Sequence, residues 1–185
     1  MTAPSHPPIR LIGAPTDVGA SVLCASLLPD APRIAGIPRA LRVRGFTARH
    51  IGNLLGPGNP PAAPPAGFRH LPEVVAWSQS VFAATQAALD AGELPLLMGG
   101  DHCLAIGSIS AAARHCRETG KRLRVLWFDA HADYNTASIT PSGNMHGMPV
   151  AVLTGNGPEP LLNLSGAVPA VDPHDVREIG LRDVD

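Results

Sequence analysis

The chain has 185 residues, with 14 Lys and Arg against 15 Asp and Glu, a formal charge of −1. Nothing in that balance selects for polyanions, so nucleic acid is not an expected partner. No uninterrupted apolar run approaches the ~18–20 residues needed to cross a bilayer, which excludes a membrane span. The polar opening MTAPSHPP lacks an apolar export segment, so the expected location is cytoplasmic. Cys24, Cys103 and Cys116 have no CxxC spacing and read as free thiols.

In chain order, Ile9 to Ala14 (IRLIGA) predicts a first strand that enters the loop TDVGAS. Pro38 to Val43 predicts a helical turn, and Phe46 to Ile51 a second strand. Residues 56–67 (GPGNPPAAPPAG) contain five prolines and little to bury, so they predict an extended, solvated connection. Val74, Trp77, Val81, Ala84 and Ala88 recur at steps of three and four between Pro72 and Gly92, which predicts a long helix. Leu94 to Met98 predicts a strand that runs into Gly99, Gly100, Asp101 and His102. A second helix is expected through Ile106, Ile109, Ala113 and Cys116, stopped by Gly120. Leu123 to Phe128 reads as a further strand ending in DAHAD, and Val176 to Leu181 as the last. Strands alternating with helices imply an α/β fold with a parallel sheet and ligands gathered beyond the carboxyl ends of its strands.

Two motifs with unusual chemistry fall at such ends. Asp129, His131 and Asp133 have a period of two, which at the end of a strand points all three to one side. Two carboxylates and an imidazole crowded together call for a cation, and that donor set suits Mn, Fe or Zn. His102, at the end of a separate strand, is a fourth ligand candidate. The glycine pair before it lets the backbone turn sharply beside a ligand. The other histidines, His6, His50, His70, His115 and His174, lack such company and are expected at the surface. Cys103 could form a Cys/His pair with His102, but adjacent residues at a helix start point apart. The loop Ser142–Gly143–Asn144–Met145–His146–Gly147 collects a hydroxyl, an amide and an imidazole. Near a metal centre, a histidine titrating close to neutrality can shuttle protons.

Taken together, GGDHCLAIGSISA, WFDAHADYNT, TPSGNMHGMPVAVL, IGAPTDVGAS and IGLRDVD resemble the ureohydrolase family, and its arginase branch in particular. The SGNMHGMPVA stretch looks more like arginase than agmatinase. The resemblance implies a three-layer α-β-α fold with a mainly parallel sheet, spanning residues 1–185 as one domain that is incomplete at its C-terminus. It implies two Mn2+ ions, one held by His102, Asp129 and Asp133 and the other by Asp129 and His131, with Asp129 bridging. Asn135, Ser142 and Asn144 match positions that hold the amino-acid end of L-arginine, and Asp185 matches an acidic residue facing its α-amino group. His146 matches the proton-shuttling histidine, and Asp133 is also placed in the catalytic set. The implied reaction yields urea and L-ornithine in a homo-oligomeric enzyme of arginine metabolism.

Departures from the family carry their own expectations. Only four of six expected metal ligands are present, because an SFDVD-like motif is missing. The strands that would carry it lie, in the family's sheet, between the GGDH and DAHAD strands, so a central gap is expected that keeps the two motifs from being adjacent. Leu23, Cys24 and Leu28 stand where relatives tend to have Arg, Gly and Gly, and Leu28 is expected to fit its turn poorly. The alternatives are a non-catalytic relative with a partial metal site that associates with another chain, and an agmatinase-like hydrolase of another guanidine.

Overall fold

A computed structural model describes residues 6–60 and 67–184. The elements in order are β1 (Ile9–Ala14), α1 (Asp30–Ile34), α2 (Ile37–Val43), β2 (Ala48–Asn53), α3 (Leu71–Asp90), β3 (Leu94–Gly99), α4 (Ala105–Glu118), β4 (Val125–Phe128), α5 (Pro149–Leu153), α6 (Glu159–Leu162) and β5 (Val176–Ile179). Every strand pairing is parallel, β2-β1-β3 in one sheet and β4-β5 in another. All six residues of β1 are buried, as befits a strand flanked on both sides and covered on both faces.

The long helix forms where the apolar periodicity placed it. Pro72 occupies its first turn, where a missing N–H costs nothing. At the other end Gly92 takes φ +69°, and the Glu93 N–H reaches back to the Ala88 carbonyl, closing the helix with a left-handed cap. Val74, Trp77, Val81 and Ala88 are buried as expected, joined by Ser78 and Thr85, while Ala84 is only half-buried. α3 and α4 cross at Gly107, where a Cβ would meet the Ser78 carbonyl at 2.4 Å. Together they cover one face of the strands: Ala14 and Leu97 share a cluster with Val74, Val81 and Ile106, and Val125 and Trp127 pack with Ala113, Val150 and Leu153. On the opposite face, Ile9, Leu11 and Met98 pack against Leu41 of α2.

Several boundaries move. β2 begins two residues later than the expected strand, because Phe46 turns inward to pack against Leu41 while Thr47 only supplies a carbonyl to Ile9. β4 and β5 are shorter than expected at 125–128 and 176–179. Of the proline-rich connection, residues 61–66 lie outside the described residues. Its start is exposed yet tethered, with Pro57 accepting from the Trp77 indole at 2.9 Å.

Among the described residues no ladder joins β3 to β4. The central gap expected from the family's strand order is therefore present as a seam bridged by helices. Leu94 and Leu96 of β3, Leu126 and Phe128 of β4 and Ile179 of β5 remain exposed on the face away from α3 and α4, Phe128 to 71%. No helix among the described residues is long and apolar enough to cross a membrane.

Candidate metal centre and substrate cleft

The turn after β3 presents His102. Gly100 is required there because a Cβ would collide with the Thr16 carbonyl at 1.9 Å. Asp101 follows with an extended backbone, and its Oδ1 accepts the Cys103 N–H at 2.8 Å, capping the short 3-10 turn that carries His102. β4 delivers the other side. Asp129 comes directly after the strand, and Asp133 adopts φ +52°, a left-handed conformation that aspartate tolerates and that folds the chain back toward the site.

His102 Nδ1 lies 2.8 Å from Asp133 Oδ2 and 3.0 Å from Asp129 Oδ2. The GGDH and DAHAD motifs thus meet across the seam, correcting the expectation that the gap would hold them apart. The missing ladder separates the strands, but the loops beyond their ends converge. The period-of-two argument also needs revision, because β4 ends at Phe128 and a loop, not a strand, places the three side chains. His102, Asp129 and Asp133 each offer a ligand atom within 4.8 Å of the others. His131 stands on the far side of Asp129, its Nδ1 3.5 Å from Oδ1 and its side chain largely exposed. The Asp129 carboxylate therefore turns one oxygen to each imidazole.

The electrostatics follow from this crowding. Burial pulls the His102 pKa down, but the carboxylates of Asp133, Asp129 and Asp101 outweigh it and hold the imidazole above its ordinary value. Burial alone would push Asp129 up; backbone N–H groups of His131 and Ala130 and the nearby imidazoles bring it below the usual carboxylate range. Asp133 Oδ2 is buried without a true hydrogen bond despite its close approach to His102, an orphaned acceptor of the kind a cation satisfies. One imidazole and two carboxylates suit a divalent cation of the Mn, Fe or Zn kind, so these residues fit a metal.

Asn135, Ser142, Asn144 and His146 line the same cleft as the four ligand candidates. The loop bearing them is pinned by Gly143, whose carbonyl accepts the Arg69 N–H at 2.8 Å and whose Cβ position lies 2.6 Å from the Gly67 carbonyl. Asn144 Nδ2 donates to Ser21 Oγ at 2.8 Å, while its buried Oδ1 has no partner. His146 is exposed to the cleft, and its backbone N–H donates to the Gly19 carbonyl at 3.0 Å. Asp185 lies outside the described residues.

Other expectations divide. Cys103 is fully buried, and burial with the neighbouring Asp101 pushes its thiol well up, which suits an inert packing residue. His70 is buried, not at the surface, because it takes the left-handed residue before α3 and tucks under the helix start. Leu28 adopts an ordinary helical conformation; the left-handed strain falls on Cys24, at φ +124°. Sequence reasoning missed Trp127, whose indole stacks on His102 with ring centroids 4.4 Å apart. It also missed Asp101 and Ser21. An aspartate two residues before the N–H it could cap was a usable signal for the first; nothing local marked the second.

The class these features define is an α/β protein with a candidate metal centre beyond the carboxyl ends of parallel strands. The chain belongs to the arginase family, whose model matches residues 8–185. An arginase from Staphylococcus aureus is 36% identical over 180 residues, covering 96% of this chain and 58% of that protein. The arginase structure from Bacillus caldovelox superposes with a TM-score of 0.90 at 34% identity, over 97% of this chain and 60% of that one. The Entamoeba histolytica arginase crystallised with L-ornithine gives 0.86 at 27% identity, over 96% and 59%. The chain thus spans a little under three-fifths of the length of the curated relatives it matches.

Proposed function

We propose that this chain carries one wall of an arginase-type active site, hydrolysing L-arginine to urea and L-ornithine when the site is complete. The observation that carries the reading is the Asp129 carboxylate, with Oδ2 facing His102 and Oδ1 facing His131. That disposition suits one aspartate bridging two cations. His102, Asp129 and Asp133 would hold one Mn2+, and Asp129 with His131 the other. Bound there, such ions would supply Lewis acidity and would make water acidic enough to yield hydroxide near neutral pH.

The remaining steps belong to the chain's own groups. Asn135, Ser142 and Asn144 bind the α-amino and α-carboxylate end of arginine, aiming its guanidinium into the cleft. Asp133 holds the centre in place with a buried carboxylate. His146, on the exposed side of the same cleft, carries the proton to the departing amine, which a guanidinium carbon cannot release unprotonated. A cytoplasmic location and a homo-oligomeric state form part of this reading.

A second reading is supported by the lack of a ladder between β3 and β4 among the described residues and by the four-residue ligand set. In it the chain is a non-catalytic relative with a partial metal site.

The deciding experiment measures bound Mn2+ and urea release from L-arginine on the purified chain, alone and mixed with the C-terminal segment of a relative. Metal uptake with urea release only in the mixture supports the arginase reading. Uptake without urea in either supports the second, and absence of uptake in both excludes the metal site.

A further inference from the structure

The loop after β1 touches both walls of the cleft through one residue. The Gly19 N–H donates to Asp101 Oδ2 at 2.7 Å, and the Gly19 carbonyl accepts the His146 N–H at 3.0 Å. Two residues on, Ser21 Oγ accepts Asn144 Nδ2 at 2.8 Å. Capping the turn at His102 needs only one acceptor, and Asp101 Oδ1 provides it to Cys103. The second oxygen is directed to a residue 82 positions away in sequence. Gly19 must lack a side chain for this, since a Cβ would sit 2.6 Å from Asp101 Oδ1 and 2.9 Å from Cys103 Sγ.

We propose that Asp101 is a positioning residue for His146, acting through Gly19 to set the distance between the His102 wall and the Ser142–Gly147 wall of the cleft. The proposal rests on the reading of His146 as the proton carrier. The backbone explains why the tie is stiff. Asp101 N–H itself donates to the Thr16 carbonyl at 2.9 Å, and Gly100 N–H to the Ala14 carbonyl at 2.9 Å, so the loop is clamped against the turn at three points before it reaches His146. Val18, between these anchors, is fully buried in the main cluster. Displacing Gly19 therefore moves the carbonyl that holds the His146 N–H and does not relax locally.

The test compares amide hydrogen exchange and the His146 1H–15N signal in the full chain and in Asp101→Ser. Serine keeps a cap for Cys103 but is too short to reach Gly19. The expected result is exchange roughly tenfold faster at Gly19 and His146, with a displaced His146 signal, while Cys103 and the buried Val81 of α3 keep their protection. Unchanged exchange at His146, or a rise matched at Val81, overturns the proposal. Gly19→Ala, which leaves Asp101 intact, attacks the same tie from the other end. It should likewise move the His146 signal, and an unmoved signal in that variant overturns the proposal even if Asp101→Ser does not fold. Urea release plays no part in either readout, so failure of the arginase reading would show in the unmodified chain and not here.

Discussion

The imidazole of His102 lies on the indole of Trp127, with planes 17° from parallel and centroids 4.4 Å apart. Trp127 comes from β4 and His102 from the turn after β3, so this stack crosses the seam between the two sheets. It fixes the ring whose Nδ1 faces both carboxylates. Replacing Trp127 by Phe keeps an aromatic face and loses no hydrogen bond, since Nε1 is buried without a partner. We expect Trp127→Phe to lower stability by about 1–2 kcal/mol with metal affinity nearly unchanged. Trp127→Leu should weaken metal binding by roughly tenfold or more. Calorimetric titration with Mn2+ beside urea denaturation separates the two effects.

The shared carboxylate makes a stoichiometric prediction. Asp129→Asn should remove most metal binding, while His131→Ala should leave one ion per chain held by His102, Asp129 and Asp133. Elemental analysis after dialysis checks both. Retention of two ions in His131→Ala would count against the bridging arrangement.

Protons would compete with a bound metal at His102, whose pKa is raised by Asp133 and Asp129 against the opposing pull of burial. In the metal-free chain this raised value stabilises the fold fully below the ordinary pKa of about 6.5 and is lost as pH rises through the folded-state value. Metal affinity should run the other way, strengthening as pH climbs through that range and then levelling off. Mn2+ titrations between about pH 5.5 and 8.5, a range that brackets the ordinary histidine pKa, test the direction, and affinity independent of pH would contradict it.

Away from the cleft, Glu93 ties β1 to β2 by pairing with Arg10 and, at 2.9 Å, with Arg49. The Arg10 hydrogen bond, outweighing burial, holds the carboxyl below its usual range. A depressed folded-state pKa gives stability that is present above the unfolded value of about 4.3 and lost as pH falls through the folded one. Glu93→Gln should therefore cost about 1–3 kcal/mol at pH 7, where buried Arg10 loses its counter-charge, and progressively less in acid. Denaturant midpoints at pH 7 and below pH 4 provide the comparison.

The contact between α3 and α4 is closest at Gly107. Alanine is favoured over glycine in a helix by ~1 kcal/mol, but here its Cβ would meet backbone, which cannot swing aside. Gly107→Ala should lower stability by about 1–2 kcal/mol on balance. A gain in thermal midpoint would show that the helices can part more easily than their packing suggests.

Much of this was legible in the sequence because the signals were local. The run from Val74 to Ala88 declared its helix, Gly92 its end, and GGDH and DAHAD their positions past strands. What escaped depended on long-range placement. His70 reads as a surface histidine until the turn before α3 tucks it inward. Cys24, not Leu28, carries the left-handed strain, a distinction set by backbone torsion alone. The meeting of His102 with Asp133 was hidden because a strand order with a gap was taken to separate what loops can still join. Trp127 looked like one more core residue, and only the closed seam gives it a ring to stack on.

That seam has a mechanical meaning. With no ladder between β3 and β4 among the described residues, the halves bearing His102 and Asp129 are held together by helix packing and by the side chains that meet over the joint. A divalent ion gripping both would act as a rivet, turning metal concentration into resistance against the two halves sliding apart. Chelation would then loosen the joint first at Phe128 and Leu126, long before the helices themselves melt.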